Sequence, residues 1–283
     1  MILIADSGST KCDWSLIRDH QMVAEYSTMG FNPFYHNQEA IAKGILANSE
    51  LVAIKDEIKG VRYLGSGCSD SQKRTIVHQG LMSVFSQAEI VVEHDLLGAA
   101  YATYDGEPSI TGILGTGSNA CLFDGTNLIQ KTPSLGFIMG DEGGGGYFGK
   151  KLVTAYCYNT LDVEIAKDFE KSYQMSIPQL IHRVNSEPHA NVFLAGFMPF
   201  FAKHKSNPGI HKILLEGIEA YFNTHILPFD FPQNLKINFI GSVAFFFQDI
   251  VSEVAHRHGL QIGVVIQKPG SRIVDYFLKY VFV

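Results

Sequence analysis

The segment Asp6-Ser7-Gly8-Ser9-Thr10-Lys11 follows the apolar run Ile2-Leu3-Ile4-Ala5 and precedes Cys12-Asp13-Trp14-Ser15-Leu16-Ile17. An apolar strand, a turn of small residues and a second strand of alternating character predict a β-hairpin. Because Gly8 permits a tight turn and small side chains leave backbone N–H groups uncovered, the tip is suited to an anion such as phosphate. An ordinary Ser/Gly hairpin turn is the alternative, since one glycine-rich loop is a weak signal.

Charged residues at this hairpin strengthen the phosphate hypothesis. Lys11 adds a point positive charge, and Asp6 at the end of the strand could hold a hydrated Mg²⁺ opposite the phosphate. The predicted nucleotide-binding residues of this loop are Asp6, Gly8, Ser9, Thr10 and Lys11.

The same layout recurs about 100 residues later. In the segment Thr111–Phe123, the strand Thr111-Gly112-Ile113-Leu114 meets the turn Gly115-Thr116-Gly117-Ser118, and the apolar strand Asn119-Ala120-Cys121-Leu122-Phe123 returns. Each copy continues into a third short strand, and strands alternating with helices then imply a parallel section of sheet. We therefore predict two similar halves, residues 1–110 and 111–283, with a nucleotide in a cleft between them. The last helix could return to the first half.

Composition narrows the possible functions. The chain has 283 residues, 46% of them hydrophobic and 18% charged, as in an ordinary globular protein. A net charge of −6 argues against a general nucleic-acid binder. The four cysteines are widely separated, which disfavours a zinc ribbon, an iron–sulfur site and a disulfide framework. No signal-peptide pattern and no apolar run of about 20 residues is visible, so we expect a cytoplasmic protein without a membrane partner.

Asp95 is the predicted general base. It ends the apolar strand Glu89-Ile90-Val91-Val92-Glu93-His94 and stands just before a helix. Phosphoryl transfer requires a carboxylate that orients the attacking hydroxyl and accepts its proton. The alternative is that Asp95 is only the N-cap of that helix.

Other polar residues are candidates for contacts with substrate or nucleoside. Asp141-Glu142 could bind sugar hydroxyls or a metal-bound water, unless they form an exposed acidic turn. Asn32 can both donate and accept hydrogen bonds, as a polyol requires, although an Asn before Pro is also typical of a turn. Gly241-Ser242 ends a strand and opens a helix, where a flat nucleoside could lie against the backbone, or it is simply a helix cap.

The second half contains the most glycine-dense segment, Gly136–Gly149, in which four successive glycines indicate a close backbone approach. A helical insertion is predicted after it, with helices at about 147–159, 162–172, 176–185, 190–204 and 210–226. The histidines show no metal-ligand spacing, and His225 is interpreted as a surface or satisfied residue. Trp14 and Phe245-Phe246-Phe247 are predicted to be core.

Taken together, these motifs resemble the actin/hexokinase/Hsp70-type ATPases. They are most similar to the BadF/BadG/BcrA/BcrD ATPase family, which contains N-acetylglucosamine kinases. The resemblance covers nearly the whole chain, and its most specific segments are Asp6–Asp13, Gly115–Asn119 and Gly140–Gly143. It implies an α/β fold of two ribonuclease H-like domains, each a mixed sheet with an opening β-meander and flanking helices.

The resemblance also implies functions for individual residues. In that family the two hairpin loops hold the ATP phosphates, the Gly-Ser turn holds adenosine, and Asp95 matches the catalytic Asp. The residues it places at or near the sugar are Asn32, Asn119, Asp141, Thr116 and Ser118.

These observations predict a kinase that uses ATP and Mg²⁺ to phosphorylate an amino sugar, most simply N-acetylglucosamine to the 6-phosphate. The expected partner is the small-molecule sugar. Whether the protein forms a homodimer is left open by the sequence. The alternative is an ATPase that energises or regulates a protein partner, as in the activator branch of the same family. That branch carries cysteines for a bridging iron–sulfur cluster, and this chain has no suitable pair, which favours the kinase.

Overall fold

The computed structural model describes residues 1–8, 11–230 and 235–282. The chain divides into two compact units, one formed by Met1–Asp105 with Pro269–Val283 and the other by Gly106–Lys268. In the described part of the chain, no helix combines the length and apolar character needed to cross a membrane.

The first unit is built on a mixed five-stranded sheet of order β3-β2-β1-β4-β5. β1 and β2 form the predicted antiparallel hairpin, β3 completes the meander, and β4 and β5 add in parallel to β1. The strands are β1 Ile2–Ser7, β2 Lys11–Arg18, β3 Gln21–Met29, β4 Gly60–Gly65 and β5 Glu89–His94.

Helices cover this sheet around an aromatic core. Trp14 is fully buried as predicted, and its ring lies 6.3 Å from that of Tyr63 and 6.1 Å from that of Phe85. The C-terminal helix belongs to this unit, because Tyr276 stacks on Tyr101 at 4.0 Å between ring centroids. Numbered along the chain, the helices of the unit are α1 Gln38–Leu46, α2 Ser49–Ile54, α3 Ser71–Met82, α4 Asp95–Thr103 and α14 Gly270–Tyr276.

The second unit repeats the strand arrangement of the first. Its sheet order is β10-β9-β6-β7-β8, so a three-stranded antiparallel meander is again followed by two parallel strands beside its first strand. The predicted α/β fold of two mixed sheets, each with an opening meander, is confirmed. The strands are β6 Ser109–Leu114, β7 Ser118–Phe123, β8 Leu128–Ile129, β9 Ile237–Ile240 and β10 Ile262–Ile266.

The predicted helical insertion lies between β8 and β9 of this unit. The single helix expected over 190–204 is two helices, because the chain turns at Gly196 and Phe197. Phe247 is buried, but Phe245 and Phe246 are exposed, so the prediction that all three form core is wrong for two of them. The helices of the second unit, of which the last two follow β9, are α5 Gly136–Met139, α6 Gly145–Cys157, α7 Val163–Tyr173, α8 Ile177–Asn185, α9 Ala190–Ala195, α10 Met198–Lys203, α11 Pro208–Tyr221, α12 Ser242–Phe246 and α13 Gln248–Arg257.

Gly149 shows why this region needs glycine. A Cβ at this position of α6 would overlap the carbonyl oxygen of Leu194 in α9, and backbone atoms cannot move aside cheaply. A Gly→Ala change within a helix ordinarily gains about 0.5–1 kcal/mol. For Gly149→Ala we expect the opposite sign, a loss of roughly 3 kcal/mol of unfolding free energy, as for overpacked cores. Urea denaturation measures it.

Gly270→Ala is the matched control for this experiment. Gly270 also lies in a helix, and a Cβ there meets nothing within 4 Å. We expect it to be neutral or slightly stabilising, and equal stabilities for the two variants would contradict the close helix contact.

Candidate active site

The carboxyl ends of three strands meet at one edge of the first sheet. In the parallel register of β1, β4 and β5, Ser7 lies opposite Gly65, and Gly65 lies opposite His94. Asp6 precedes this row and Asp95 follows it, so both carboxylates lie at the same edge. In open α/β sheets, ligands bind outside the carboxyl ends of the strands.

Asp6 is electrostatically strained at this edge. Burial, followed by the negative charges of Asp95 and Asp13, raises the pKa of Asp6 from an ordinary value near 3.8 to about 7. A carboxylate in this situation is stabilised by a cation, because a positive charge offsets both the burial and the repulsion. Asp6 is therefore suited to the predicted contact with a hydrated Mg²⁺.

Asp95 is the first residue of α4 and is not its N-cap, so the capping alternative for it is wrong. The cap is His94, whose Nδ1 accepts a hydrogen bond from the Leu96 amide at 3.0 Å. Oδ1 of Asp95 lies 2.8 Å from the same Nδ1, and both side chains are about 30% exposed. The carboxylate is therefore partly open to solvent at the end of β5.

Asn32 is placed at the end of β4 by two neighbours. Its Oδ1 accepts from the Phe34 amide at 2.9 Å, so it does form the turn that its position before Pro33 suggested. The side chain also packs on Gly67, where φ is +79° and a Cβ would overlap Oδ1 of Asn32. Ser7 supports the loop, since its Oγ accepts from the Phe31 amide at 3.2 Å.

The tip of the first hairpin is only partly described. The amide of Gly8 donates to the carbonyl oxygen of Lys11 at 3.0 Å, so it closes the turn. Nζ of Lys11 lies 2.6 Å from Oδ1 of Asp13 in an exposed pair, which is weak enough to exchange for another anion. The predicted contacts of Ser9 and Thr10 lie outside the described residues.

The second hairpin presents unpartnered backbone donors. The Gly115 amide closes the turn on the Gly117 carbonyl oxygen at 3.0 Å. The amides of Thr116 and Gly117 have no acceptor among the described residues. A Cβ on Gly115 would meet no atom within 4 Å, so the space beside the turn is open. Two successive free amides next to open space fit a phosphate.

The glycine-rich start of α6 is hydrogen-bonded to this turn. The amides of Gly145 and Gly146 donate to the carbonyl oxygens of Gly115 and Thr116 at 2.8 and 2.9 Å. A Cβ on Gly144 would lie 2.8 Å from the carbonyl carbon of Gly117, closer than real contacts allow. The close backbone approach expected from the glycine run is therefore present.

Gly241 lies beside the same turn. Its amide donates to the carbonyl oxygen of Ile266 at 2.9 Å, and a Cβ would overlap the carbonyl oxygen of Leu114. Its φ of +113° is accessible mainly to glycine. The Gly241-Ser242 turn and the Gly115 turn are therefore adjacent within the second unit, as one nucleotide spanning both would require.

Asp141 also joins the second hairpin. It adopts a left-handed φ of 57°, and its Oδ1 accepts from the Ser118 amide at 3.4 Å. Oγ of Ser118 is buried without a partner among the described residues, which suits it to a ligand hydroxyl. Asn119 instead lies on the opposite face of β7, where its Oδ1 accepts from Nε2 of Gln130 at 2.8 Å.

Glu142 faces a histidine that the sequence prediction misjudged. Oε2 of Glu142 lies 3.6 Å from Nε2 of His225, which is buried and therefore not a surface residue. Nδ1 of His225 has no partner in the described part of the chain, so the residue is not satisfied either. Burial lowers the His225 pKa more than Glu142 raises it, which favours a neutral imidazole.

The turns of the second unit fit a nucleotide, and Asp6 of the first unit fits Mg²⁺. The Thr116 and Gly117 amides and the open space at Gly115 fit phosphate oxygens, and the raised pKa of Asp6 fits a nearby cation. The described residues contain no cluster of three or more His, Cys, Asp or Glu that would hold a metal on their own. Mg²⁺ does not need one, because it keeps several waters and binds through one or two carboxylates plus phosphates.

Gly115→Ala tests the phosphate role of the second turn. The added methyl group would enter open space, so we expect the melting temperature to stay within about 2 °C. Because the methyl group would take up space meant for a phosphate, we expect ATP binding to weaken about 10-fold, or roughly 1.4 kcal/mol. Isothermal titration with ATP measures the affinity. Gly60→Ala is the control. Gly60 begins β4, at the end of the strand away from the candidate site, and a Cβ there would make ordinary contacts of 3.5–3.9 Å. Unchanged ATP affinity in Gly115→Ala would place the phosphates elsewhere.

Three residues of the site were missed by the sequence prediction. His94 caps the helix that carries Asp95, Gly67 holds the Asn32 side chain, and Ser7 anchors the loop before it. The adjacency of His94 to a strand-end Asp was the available signal. For the other two the signal was weaker, since their partners are distant in sequence.

The repeated meander with its small-residue hairpin defines the class: this is the actin-like ATPase fold of sugar kinases. A solved structure from Porphyromonas gingivalis, described as a putative N-acetylglucosamine kinase, is 33% identical over 99% of both chains, with a TM-score of 0.91. The chain belongs to the same family as that protein.

More distant solved structures share the fold. A putative N-acetylglucosamine kinase from Chromobacterium violaceum is 15% identical over 98% of both chains, with a TM-score of 0.73. A ROK-family glucokinase from Streptomyces griseus, solved with glucose and AMPPNP, is 14% identical over 97% of both chains, with a TM-score of 0.55. The chain matches no protein-family model and no curated protein sequence.

Proposed function

We propose that this protein is an ATP-dependent kinase of the BadF/BadG/BcrA/BcrD type that phosphorylates an amino sugar, N-acetylglucosamine at its 6-hydroxyl. The observation that carries the proposal is the placement of Asp6 and Asp95 at one sheet edge, where burial and neighbouring carboxylates raise the pKa of Asp6. Membership in the family of the Porphyromonas gingivalis protein supports the sugar class.

In this proposal Asp95 is the general base. Its carboxylate accepts the proton of the sugar hydroxyl as the oxygen attacks the γ-phosphorus, and the bond to the β–γ bridging oxygen of ATP breaks. Its partial exposure leaves it reachable by a substrate hydroxyl. Asn32, whose side chain lies against Gly67 just after the neighbouring strand β4, would orient that substrate.

The nucleotide is assigned to the hairpin turns. The Thr116 and Gly117 amides would bind phosphate oxygens, and the adjacent Gly241-Ser242 turn would receive the nucleoside. Bound Mg²⁺ would neutralise charge on the β- and γ-phosphates, with Asp6 holding one of its waters. Lys11 would exchange its exposed contact with Asp13 for a phosphate oxygen.

The sugar is assigned to polar groups near the second hairpin as well as to Asn32. Oγ of Ser118 is buried without a partner among the described residues, and the Asp141 carboxylate lies on the same turn. Glu142 lies next to Asp141 in sequence and contacts a neutral His225. Asn119 is the weakest of the substrate assignments, because its side-chain oxygen is engaged by Gln130.

A panel of sugars tests the proposal. ADP release is measured with ATP and Mg²⁺ in the presence of N-acetylglucosamine, N-acetylmannosamine, glucosamine and glucose, and without sugar. We expect N-acetylglucosamine to give the highest kcat/KM and to stimulate ADP release at least about 100-fold over water. Sugar-independent ATP hydrolysis would instead favour an ATPase that acts on a protein partner.

A further inference from the structure

Nδ1 of His94 lies close to both a hydrogen-bond donor and a hydrogen-bond acceptor. Its Nδ1 lies 3.0 Å from the Leu96 amide nitrogen, which donates, and 2.8 Å from Oδ1 of Asp95, which accepts. A single ring nitrogen accepts when it is bare and donates when it carries a proton, so it satisfies only one of these neighbours at a time. Whether Nδ1 carries a proton therefore decides which contact forms, and in the neutral ring the contact with Leu96 requires the tautomer with its proton on Nε2.

The two states differ in what they do to Asp95. When Nδ1 is bare, His94 caps α4 through Leu96 and leaves the Asp95 carboxylate to other partners. When Nδ1 is protonated, it donates to Oδ1, forms a charge-assisted pair and lowers the basicity of Asp95. The cap is lost in the second state, because the nitrogen that accepted from Leu96 now carries a hydrogen.

The surroundings of His94 raise its pKa, chiefly through Asp95. Burial opposes the charged ring, but the hydrogen bond and the charge of Asp95 outweigh it, so the pKa of His94 lies above its ordinary value. Arg74 on α3 lowers that pKa and Glu93 on β5 raises it, and these two side chains largely cancel because they pair at 2.8 Å.

We propose that His94 is a positioning residue that controls Asp95: neutral His94 with a bare Nδ1 caps the helix and leaves Asp95 as base, and His94 protonated at Nδ1 binds the Oδ1 of Asp95. The role in catalysis rests on the proposed kinase function. The exchange of partners at Nδ1 does not, and it can be measured in a protein with no known substrate.

His94→Asn separates the two contacts. Asn is a favourable N-cap whose side-chain oxygen accepts from the Leu96 amide, but it never becomes a cation. In the wild type we expect kcat/KM to fall about 10-fold for each pH unit below the His94 pKa. The ratio of variant to wild-type kcat/KM should then rise about 10-fold per unit in that range, as expected for one proton.

Nuclear magnetic resonance gives the readout that needs no turnover. As pH falls, we expect the Leu96 amide to lose its hydrogen bond with the same midpoint as the His94 ring titration, and Asp95→Asn to lower that midpoint because the hydrogen bond and charge of Asp95 are removed. A Leu96 amide that ignores the His94 titration, or superimposable pH profiles for wild type and His94→Asn, would overturn the proposal. If no sugar is phosphorylated, the amide measurement still decides on the exchange.

Discussion

Replacing Asp95 by Asn is expected to reduce kcat for phosphoryl transfer to the sugar by about 1,000-fold, within the range typical of a lost general base. Asn keeps the size of the side chain and can still contact the hydroxyl, but it cannot accept its proton. Because Asp95 is the first residue of α4 and His94 provides the cap, the substitution should leave the helix intact. We therefore expect ATP affinity and melting temperature to stay close to those of the wild type.

Asp56→Asn is the matched control for this experiment. Asp56 is an exposed aspartate of the same unit that pairs with Lys55 at the surface, and its side chain is 77% exposed. We expect it to retain full kcat. An Asp95→Asn protein with kcat within about 3-fold of the wild type would remove Asp95 from the role of base.

The second large effect is expected at Asp6 and depends on pH. An aspartate in the unfolded chain has a pKa near 3.9, whereas the pKa of Asp6 in the folded protein is raised to about 7. The folded state therefore binds more protons between these values, and stability falls as pH rises through this window. Asp6→Asn removes this loss, so the variant should become more stable than the wild type above pH 7. At 1.36 kcal/mol per pKa unit, the difference reaches at most about 4 kcal/mol.

Thermal unfolding of the metal-free proteins from pH 4 to pH 8 measures this difference. The wild-type curve should decline relative to that of Asp6→Asn up to about pH 7 and then run parallel to it. Asp56→Asn should follow the wild type, because Asp56 is exposed. Parallel curves for Asp6→Asn and wild type over the whole range would mean that Asp6 carries no unfavourable charge.

Activity should move in the opposite direction to stability. If Asp6 holds a water of Mg²⁺, Asp6→Asn should lower Mg²⁺-dependent turnover about 10- to 100-fold, as for other groups that orient a metal's ligands. ADP with Mg²⁺ should raise the melting temperature of the wild type at pH 7.5 and have a smaller effect on the variant. A more stable but less active protein is the combination that a strained functional carboxylate predicts.

Much of the fold was accessible from sequence because its signals are local. The apolar runs before Gly8 and Gly115 and the alternating strands after them predicted both hairpins, and β1, β2 and β3 begin where expected. The recurrence of the pattern about 100 residues later predicted the second sheet. The glycine run at 143–146 predicted a close backbone approach, which the contacts of Gly145 and Gly146 bear out.

The remaining features depend on contacts that sequence patterns do not encode. Whether His94 or Asp95 caps α4 depends on which residue first adopts helical backbone angles. The sequence does not distinguish the two, because both are polar and adjacent. The burial of His225 beside Glu142 depends on packing between segments 83 residues apart. Phe245 and Phe246 are exposed although their composition suggests core, because only one side of the short α12 faces the sheet.

The most direct measurement of the central claim is the stoichiometric analysis of products formed from ATP, Mg²⁺ and N-acetylglucosamine. Phosphorus NMR of the mixture identifies the phosphorylated atom from its coupling to sugar protons, and a coupled assay counts the ADP. We expect one sugar phosphate per ADP, with the phosphate on the 6-oxygen, and product formation about 1,000-fold slower with Asp95→Asn. ADP accumulating with inorganic phosphate and no sugar phosphate would contradict it.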